Sequence, residues 1–437
     1  MSLRATPGSG IAAGIALLRL SGLLRLRGAA GMLRRGGLAA AAGLAALRSP
    51  DRPVLVRGHD ALTGAELDAA VTATAAALAE RLPTGARLGL RGDGGIEFVV
   101  ALAAAGLAGV DVLPIGPRHA DADVAALARD LDELADPWEL VVRGAHGAAP
   151  PASRPPGRLL LLSTGTTGAP GTTTRGRLGA RGLLQLADAD RRLALPPGPV
   201  LVLAPPDHGH GLSMVLAGLL RGRTVLLGSG MRPEEQAELV RRRRPATVTG
   251  VPAQLGRLLE ADAGVLAGVR LVVSGSSLLP AALRERIEAS GAAVRDCYGS
   301  TETGTVAIEG RPLAGVTIAV GGDRRIRVSS PLGGAPREPG DLGRIEHGRL
   351  HVEGRAGELV DSGGELVAPA RVEAALRGVA GVVTARVTAE PDDLLGTRLH
   401  AGVVVADPRL DAAALTRALE PLVGRSGLPR SFDVTVG

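Results

Sequence analysis

The sequence predicts an α/β fold, a large N-terminal part with mostly parallel sheets flanked by helices, followed by a small α+β unit. Three observations predict it. From Pro53 the chain reads strand, helix, strand, helix, strand in β-α-β order, which places successive strands side by side in one direction. The alternation continues without a break to about Ser290. Beyond Arg355 the order changes to helix, two strands, helix and strand, the pattern of a compact α+β unit.

The elements follow in order. "PVLVRG" reads as a strand, and "TGAELDAAVTATAAALAERL" as a helix that Thr63 caps, with Glu66 three residues on as in a capping box. "RLGLRG" is a second strand, Ile96 to Leu107 a helix and "VDVLPIG" a third strand. Leu159 to Leu162 is a short apolar run that suits a buried strand. Strands are then expected at "PVLVLAPP", "TVLLG", "TVTGVP" and "VRLVVSGSS". Between and after them, helices are expected at "GLSMVLAGLLRG", "PEEQAELVRRRR", "QLGRLLEA" and "LPAALRERIEAS". In the last part "VAPARVEAAL" and "DAAALTRALEPLV" read as helices and "GVVTARVT", "RLHAGVVVA" and "SFDVTV" as strands. In open α/β sheets the turns after the strands are where a ligand sits.

Residues 1–48 read as an amphipathic N-terminal extension. "IAAGIALLRLSGLLRLRGAAGMLRRGG" is apolar but interrupted by Arg19, Arg25, Arg27, Arg34 and Arg35, so no run approaches the length of a membrane-spanning helix. A secretory cleavage pattern is absent from it. Two readings stay open, a helix packed on the protein body and a helix in peripheral contact with an anionic membrane surface.

Composition excludes several functions. At 437 residues the chain can bury a large core and hold two or three domains. All 50 basic residues are arginine, with lysine and asparagine both absent, so the net charge of +6 reflects compositional bias and does not argue for nucleic acid. With Trp138, Tyr298, Phe98 and Phe432 as the only aromatics there is no stacking platform for single strands. Cys297, the single cysteine, forbids an internal disulfide and reads as a small core residue in a reducing cytoplasm. His208 and His210 in "PPDHGHGLS" have no second ligand cluster at metal-binding spacing nearby. The run Arg241 to Arg244 reads as a solvated helix C-terminus, where cations meet the dipole favourably.

"LLSTGTTGAPGTTTRG", residues 161–176, sets Ser, Thr and Gly directly behind the apolar run. Gly165 and Gly168 permit a tight turn with successive amides exposed, and Thr164, Thr166 and Thr167 add hydroxyl donors, which together suit an anion. A polar linker between two strands is the other reading of the same residues. A Walker A loop is excluded, because it requires Gly-Lys-Ser/Thr.

A second motif follows at "RDCYGSTETG", residues 295–304, and a third segment at "GRAGELVDSGGELVAPARVEAAL". With "STGTTGAPG", these resemble the adenylate-forming superfamily of acyl-CoA synthetases, peptide-synthetase adenylation domains and luciferases. Within it the likeness is to bacterial fatty-acyl-CoA ligases, in family order from Ser49 to the last residue. The resemblance implies a large domain over 49–354, a small mobile domain over 355–437 and a hinge at Glu358. It implies ATP-dependent activation of a carboxylic acid, a fatty acid in the first instance, as an acyl-adenylate in the cytoplasm. Transfer to the thiol of CoA, or of a carrier-protein phosphopantetheine, would follow. A degenerate relative that binds an acyl-nucleotide or a partner protein without adenylating is the alternative.

Roles carried over from the family are these. Ser163, Thr164, Gly165, Thr166, Thr167 and Gly168 would hold the β- and γ-phosphates of ATP. Thr301 would contact phosphate, and Glu302 would ligate Mg2+. Tyr298 would stack on adenine, beside Gly299 and Ser300. Ser274, Gly275 and Ser276, within Val272 to Pro280, would line the adenine and acyl pockets. His208 would lie beside the acyl group, and Asp341 and Arg355 would grip the ribose hydroxyls. The turn at Gly363 and Gly364 would face the acceptor thiol.

The sequence departs from the family in its lysines. Gly171 stands where the phosphate loop ends in Pro-Lys-Gly, and the last motif, with its lysine, is expected just beyond Val436, where the sequence stops. Removing one preorganised donor to developing charge costs about 10²–10³ in rate. Arg175 is the candidate replacement, an arginine binding phosphate through a fixed fork rather than a point charge.

Overall fold

A nine-stranded mixed sheet organises the molecule in the computed structural model, which describes residues 2–4, 35–144, 154–164, 170–174, 179–300, 303–333, 336–355 and 359–436. In spatial order the strands are Arg311–Pro312, Gly304–Ile308, Ala293–Ser300, Leu271–Gly275, Thr247–Gly250, Val200–Val202, Val225–Leu227, Pro53–Arg57 and Asp60–Thr63. The interior pairings are parallel and the antiparallel ones lie at the two edges. The expected α/β class, with mostly parallel strands flanked by helices, is therefore the observed one.

Burial explains the apolar strand runs. Val200, Leu201 and Val202 are fully buried, with Val200 and Val202 in one hydrophobic cluster and Leu201 in a second. Covered on both faces, such strands lose the polar alternation of a half-exposed sheet. The Gly64–Arg81 helix starts as expected: Thr63 accepts from the Glu66 amide at 3.3 Å, and the Glu66 carboxylate accepts from the Thr63 amide at 2.8 Å. A second parallel sheet joins Asp111–Ile115, Arg87–Arg91 and Glu133–Ala135.

Two segments differ from expectation in informative ways. The apolar run before the Ser/Thr/Gly loop extends to Thr164 and returns as an antiparallel strand, Pro170–Thr174, with Ser163 opposite Gly171. Pro170 thus opens a strand. Within the expected N-terminal extension, Gly37–Arg48 is a helix whose Ala39, Ala41, Ala42 and Ala45 lie in the main core, and Ser2–Arg4 pairs with Thr317–Val320. Small alanines let this helix approach its neighbours closely. The remainder of that extension lies outside the described residues, among which no helix is long and apolar enough to cross a membrane.

The Arg241 to Arg244 run closes the Pro233–Arg243 helix, where Arg241 pairs with Glu238 and Asp262. Cys297 is buried, and burial pushes its thiol pKa well up.

The C-terminal part has its own core. Val382–Asp392 pairs antiparallel with Gly396–Val405, which pairs parallel with Ser431–Val436. The helices Pro369–Arg377 and Ala412–Val423 cover this sheet through Val372, Leu376, Leu415 and Leu419. It meets the rest of the molecule through polar contacts that include Arg371 with Asp123 at 2.6 Å.

Candidate active site

The parallel strands of the main sheet end together, and the expected binding residues lie at those ends. Ser274 and Gly275 close the Leu271–Gly275 strand in register with Asp296 and Cys297, and Ser276 follows with φ of 70°. A side chain at Gly275 would place its Cβ 2.6 Å from His210 Nδ1, so only glycine lets that ring lie against the strand. The Ser274 hydroxyl is fully buried and has no hydrogen-bond partner among the described residues.

On the neighbouring strand, Tyr298, Gly299 and Ser300 follow one another across a β-bulge. The Tyr298 hydroxyl donates to Asp341 at 2.8 Å, and Asp341 pairs in register with Arg355 across a hairpin. The structure therefore unites three of the residues expected around the nucleoside. Thr303 Oγ1 accepts from the Ser300 amide at 3.0 Å, and the Thr303 amide donates to Ser300 Oγ at 3.2 Å. This staple brackets Thr301 and Glu302. Gln185 supports the hairpin of Ala293–Ser300 and Gly304–Ile308, donating to the Thr305 carbonyl at 2.8 Å while accepting from Ser330 at 3.1 Å.

A charged junction lies where the C-terminal part meets these strand ends. His208 Nε2 is 3.2 Å from Glu365 and 3.6 Å from Asp207, and Arg118 is 3.2 Å from Glu365. Burial alone would lower the pKa of His208, but the Glu365 and Asp207 carboxylates outweigh it and raise the value to about 9. For Glu365, burial works upward, while His208, Arg118 and His119 draw it down to about 2. His119, facing the same carboxylates, is lowered because burial dominates. Next to Glu365, the turn at Gly363 and Gly364 has φ of 65° and 91°, and its Asp361 carboxylate accepts from Ser277 at 2.8 Å and from the Gly364 amide at 2.8 Å.

Two residues along from His208 the environment reverses. His210 bonds Thr249 Oγ1 at 2.8 Å and lines an apolar cavity of about 570 Å³. Burial lowers its pKa to about 4, against a smaller upward pull from a backbone hydrogen bond with Val273. The cavity runs between the Ala180–Leu193 and Gly209–Leu220 helices and reaches Cys297, Gly304 and Thr305, next to the Tyr298 bulge.

Expected residues thus fall into four groups. Ser274, Gly275, Ser276, Tyr298, Gly299, Ser300 and Asp341 lie at the strand ends and the adjoining hairpin. His208, expected beside the acyl group, lies at the junction with Glu365, and His210 lines the cavity. Ser163, Thr164 and Arg355 are placed by their backbone pairing. Gly165, Thr166, Thr167, Gly168, Arg175, Thr301, Glu302 and Glu358 lie outside the described residues. No group of three or more His, Cys, Asp or Glu side chains that could hold a metal occurs among the described residues. Sequence reasoning missed Glu365, Arg118, Asp207, Thr303 and Gln185. Asp207 and Glu365 adjoin motifs already singled out, whereas nothing local marks Arg118 or Gln185.

Comparison with known proteins agrees with this geometry. The family model described as AMP-binding enzyme matches residues 44–133 and 146–360. A probable 2-succinylbenzoate–CoA ligase of Mycobacterium tuberculosis strain H37Rv is 31% identical over 309 residues, covering 63% of this chain and 76% of the relative. A feruloyl-CoA synthase of an Amycolatopsis species is 29% identical over 463 residues, covering 89% and 93%. Among solved structures, a malonyl-CoA ligase in a ternary product complex with methylmalonyl-CoA and AMP matches with a TM-score of 0.71 and 29% identity, over 88% of this chain and 96% of its own. The chain belongs to the AMP-binding enzyme family, in the acid–thiol ligase class of these relatives.

Proposed function

We propose that this protein activates a carboxylic acid with ATP and passes the acyl group to a thiol, with CoA as the acceptor favoured by the names of its relatives. A carboxylate oxygen attacks the α-phosphorus of ATP and pyrophosphate leaves; the thiol sulfur then attacks the acyl carbon and AMP leaves. The observation that carries the reading is the convergence at the ends of neighbouring strands of the Tyr298–Asp341 pair, the Ser274 to Ser276 strand end and the docked Gly363–Gly364 turn.

Each part has a role consistent with that chemistry. The Ser274 hydroxyl, buried without a partner, and the amides around Ser276 can take up polar atoms of an adenylate. Asp341 can accept from two ribose hydroxyls, with Tyr298 orienting it until a nucleotide takes over. Ser300 and Thr303 are hydrogen-bonded to each other, and the resemblance assigns phosphate contact to Thr301 and Mg2+ ligation to Glu302. Arg175 is assigned the charge that Gly171 omits. Preorganisation of this kind speeds a reaction by positioning and by electrostatics, with little covalent work for the protein.

The docked turn and its Glu365–His208 contact fit the second half-reaction. A carrier-protein thiol is the alternative acceptor. No support for a specifically fatty acid comes from the relatives' names, which specify succinylbenzoate, ferulate and malonate. The degenerate reading has no support in them either, since each is named as a ligase or synthase.

The test measures acid-dependent pyrophosphate exchange into ATP, and thioester formation from supplied acyl-adenylates with CoA, across short, long and aromatic acids. Glu302→Gln should weaken Mg-ATP binding in a folded protein. Absence of both half-reactions over the whole panel would sink the proposal.

A further inference from the structure

The cavity beside His210 carries information about the acid. Its long walls are apolar: Leu212, Leu216 and Leu220 recur every four residues along one helix and face Leu183 and Leu186 on another. Its volume of about 570 Å³ lies in the range of small-molecule sites, about 300–1,000 Å³. At its head, Gly275 lies against His210 and Cys297 pairs with Gly275, so the cavity opens next to the strand ends that hold the nucleotide-binding candidates.

Every charged side chain on the described walls is already engaged. Arg35 pairs with Asp68, Arg158 with Asp111 at 2.5 Å, and Asp190 with Arg221 at 2.5 Å. Gln185 spends both ends of its amide on the Thr305 carbonyl and Ser330, and Ser213 donates to the Gly209 carbonyl at 2.6 Å. His210 bonds Thr249. An acid with a second anionic group would therefore bring a charge into an apolar space with no uncommitted cation on the described walls, which is strongly unfavourable.

Resting on the adenylate-forming reading above, we infer that this protein's acid is a monocarboxylate with a large, uncharged, apolar body seated between the two leucine-bearing helices. The distinction from relatives is chemical: succinylbenzoate and malonate each carry a second carboxylate.

Calorimetry with acyl-sulfamoyl adenosines tests it. From butanoyl through decanoyl, affinity should rise about fourfold per methylene until the cavity is full. Malonyl and 2-succinylbenzoyl analogues should bind on the order of 100-fold more weakly than the uncharged butanoyl and 4-oxo-4-phenylbutanoyl analogues of like size. Ala217→Phe, which intrudes on the cavity from the Gly209–Leu220 helix, should cut decanoyl affinity while sparing butanoyl. Leu216→Ala should move the preferred length upward, a gain that misfolding cannot imitate. Dicarboxylic analogues binding as tightly as their uncharged counterparts, or no dependence on chain length, would overturn the inference and leave adenylate formation standing. Failure of every analogue to bind would overturn both.

Discussion

Two histidines on one short segment sit in opposite electrostatic surroundings. His208, at the charged junction, is raised to about 9, and His210, at the head of the apolar cavity, is lowered to about 4. Burial disfavours the charged form of both. What differs is the neighbour: two carboxylates face His208, whereas a threonine hydroxyl and the strand backbone face His210. The comparison teaches that one turn between a strand and a helix can serve a polar docking surface on one side and an acyl-sized space on the other.

The largest expected effect comes from breaking the junction. Glu365→Gln removes the carboxylate that holds His208 and Arg118, and should slow thioester formation from a supplied acyl-adenylate about 10- to 100-fold, with pyrophosphate exchange changed less than threefold. Single-turnover assays of the two half-reactions make the check. Equal losses in both would show that Glu365 does not act through docking.

A smaller effect sharpens the contrast through pH. His208 is raised, so its contribution to the junction is complete below about pH 6.5 and is lost as pH rises through about 9. Glu365 is depressed, so its contribution is present above about 4.5 and is lost as pH falls through about 2. His210 is also depressed: the unfolded chain takes up its proton first, and stability falls as pH drops from about 6.5 to about 4. Urea titrations should show that His210→Gln flattens the acid limb without touching the alkaline one. His208→Gln should do the reverse. An unchanged acid limb in His210→Gln would remove that group from the account.

The smallest effect tests whether the nucleotide edge is independent of both regions. Tyr298→Phe loses one hydrogen bond to Asp341 and should cost about 0.5–1.5 kcal/mol of stability, leaving the pH limbs where they are. A shift of either limb would show that Asp341 communicates with the junction or the cavity.

The sequence by itself determined the β-α-β alternation from Pro53 and the two-helix, three-strand C-terminal unit. Apolar strand runs, the Thr63–Glu66 capping box and the placement of glycines are local signals, and local signals survive in one dimension. It also marked the Tyr298 to Ser300 segment, Asp341 and the Gly363–Gly364 turn, because their residue types and order carry the family's pattern. Only the tertiary structure decided that Gly37–Arg48 is core, since alanines read as weakly amphipathic until neighbours close around them. Only it separated the surroundings of His208 and His210 and joined Glu365 to Asp207 and Arg118, residues more than 150 positions away in the chain. The physical reason is the same in each case. A pKa, an unpaired hydroxyl and an empty volume belong to the surroundings of a residue, and surroundings are assembled from distant segments that no local pattern records.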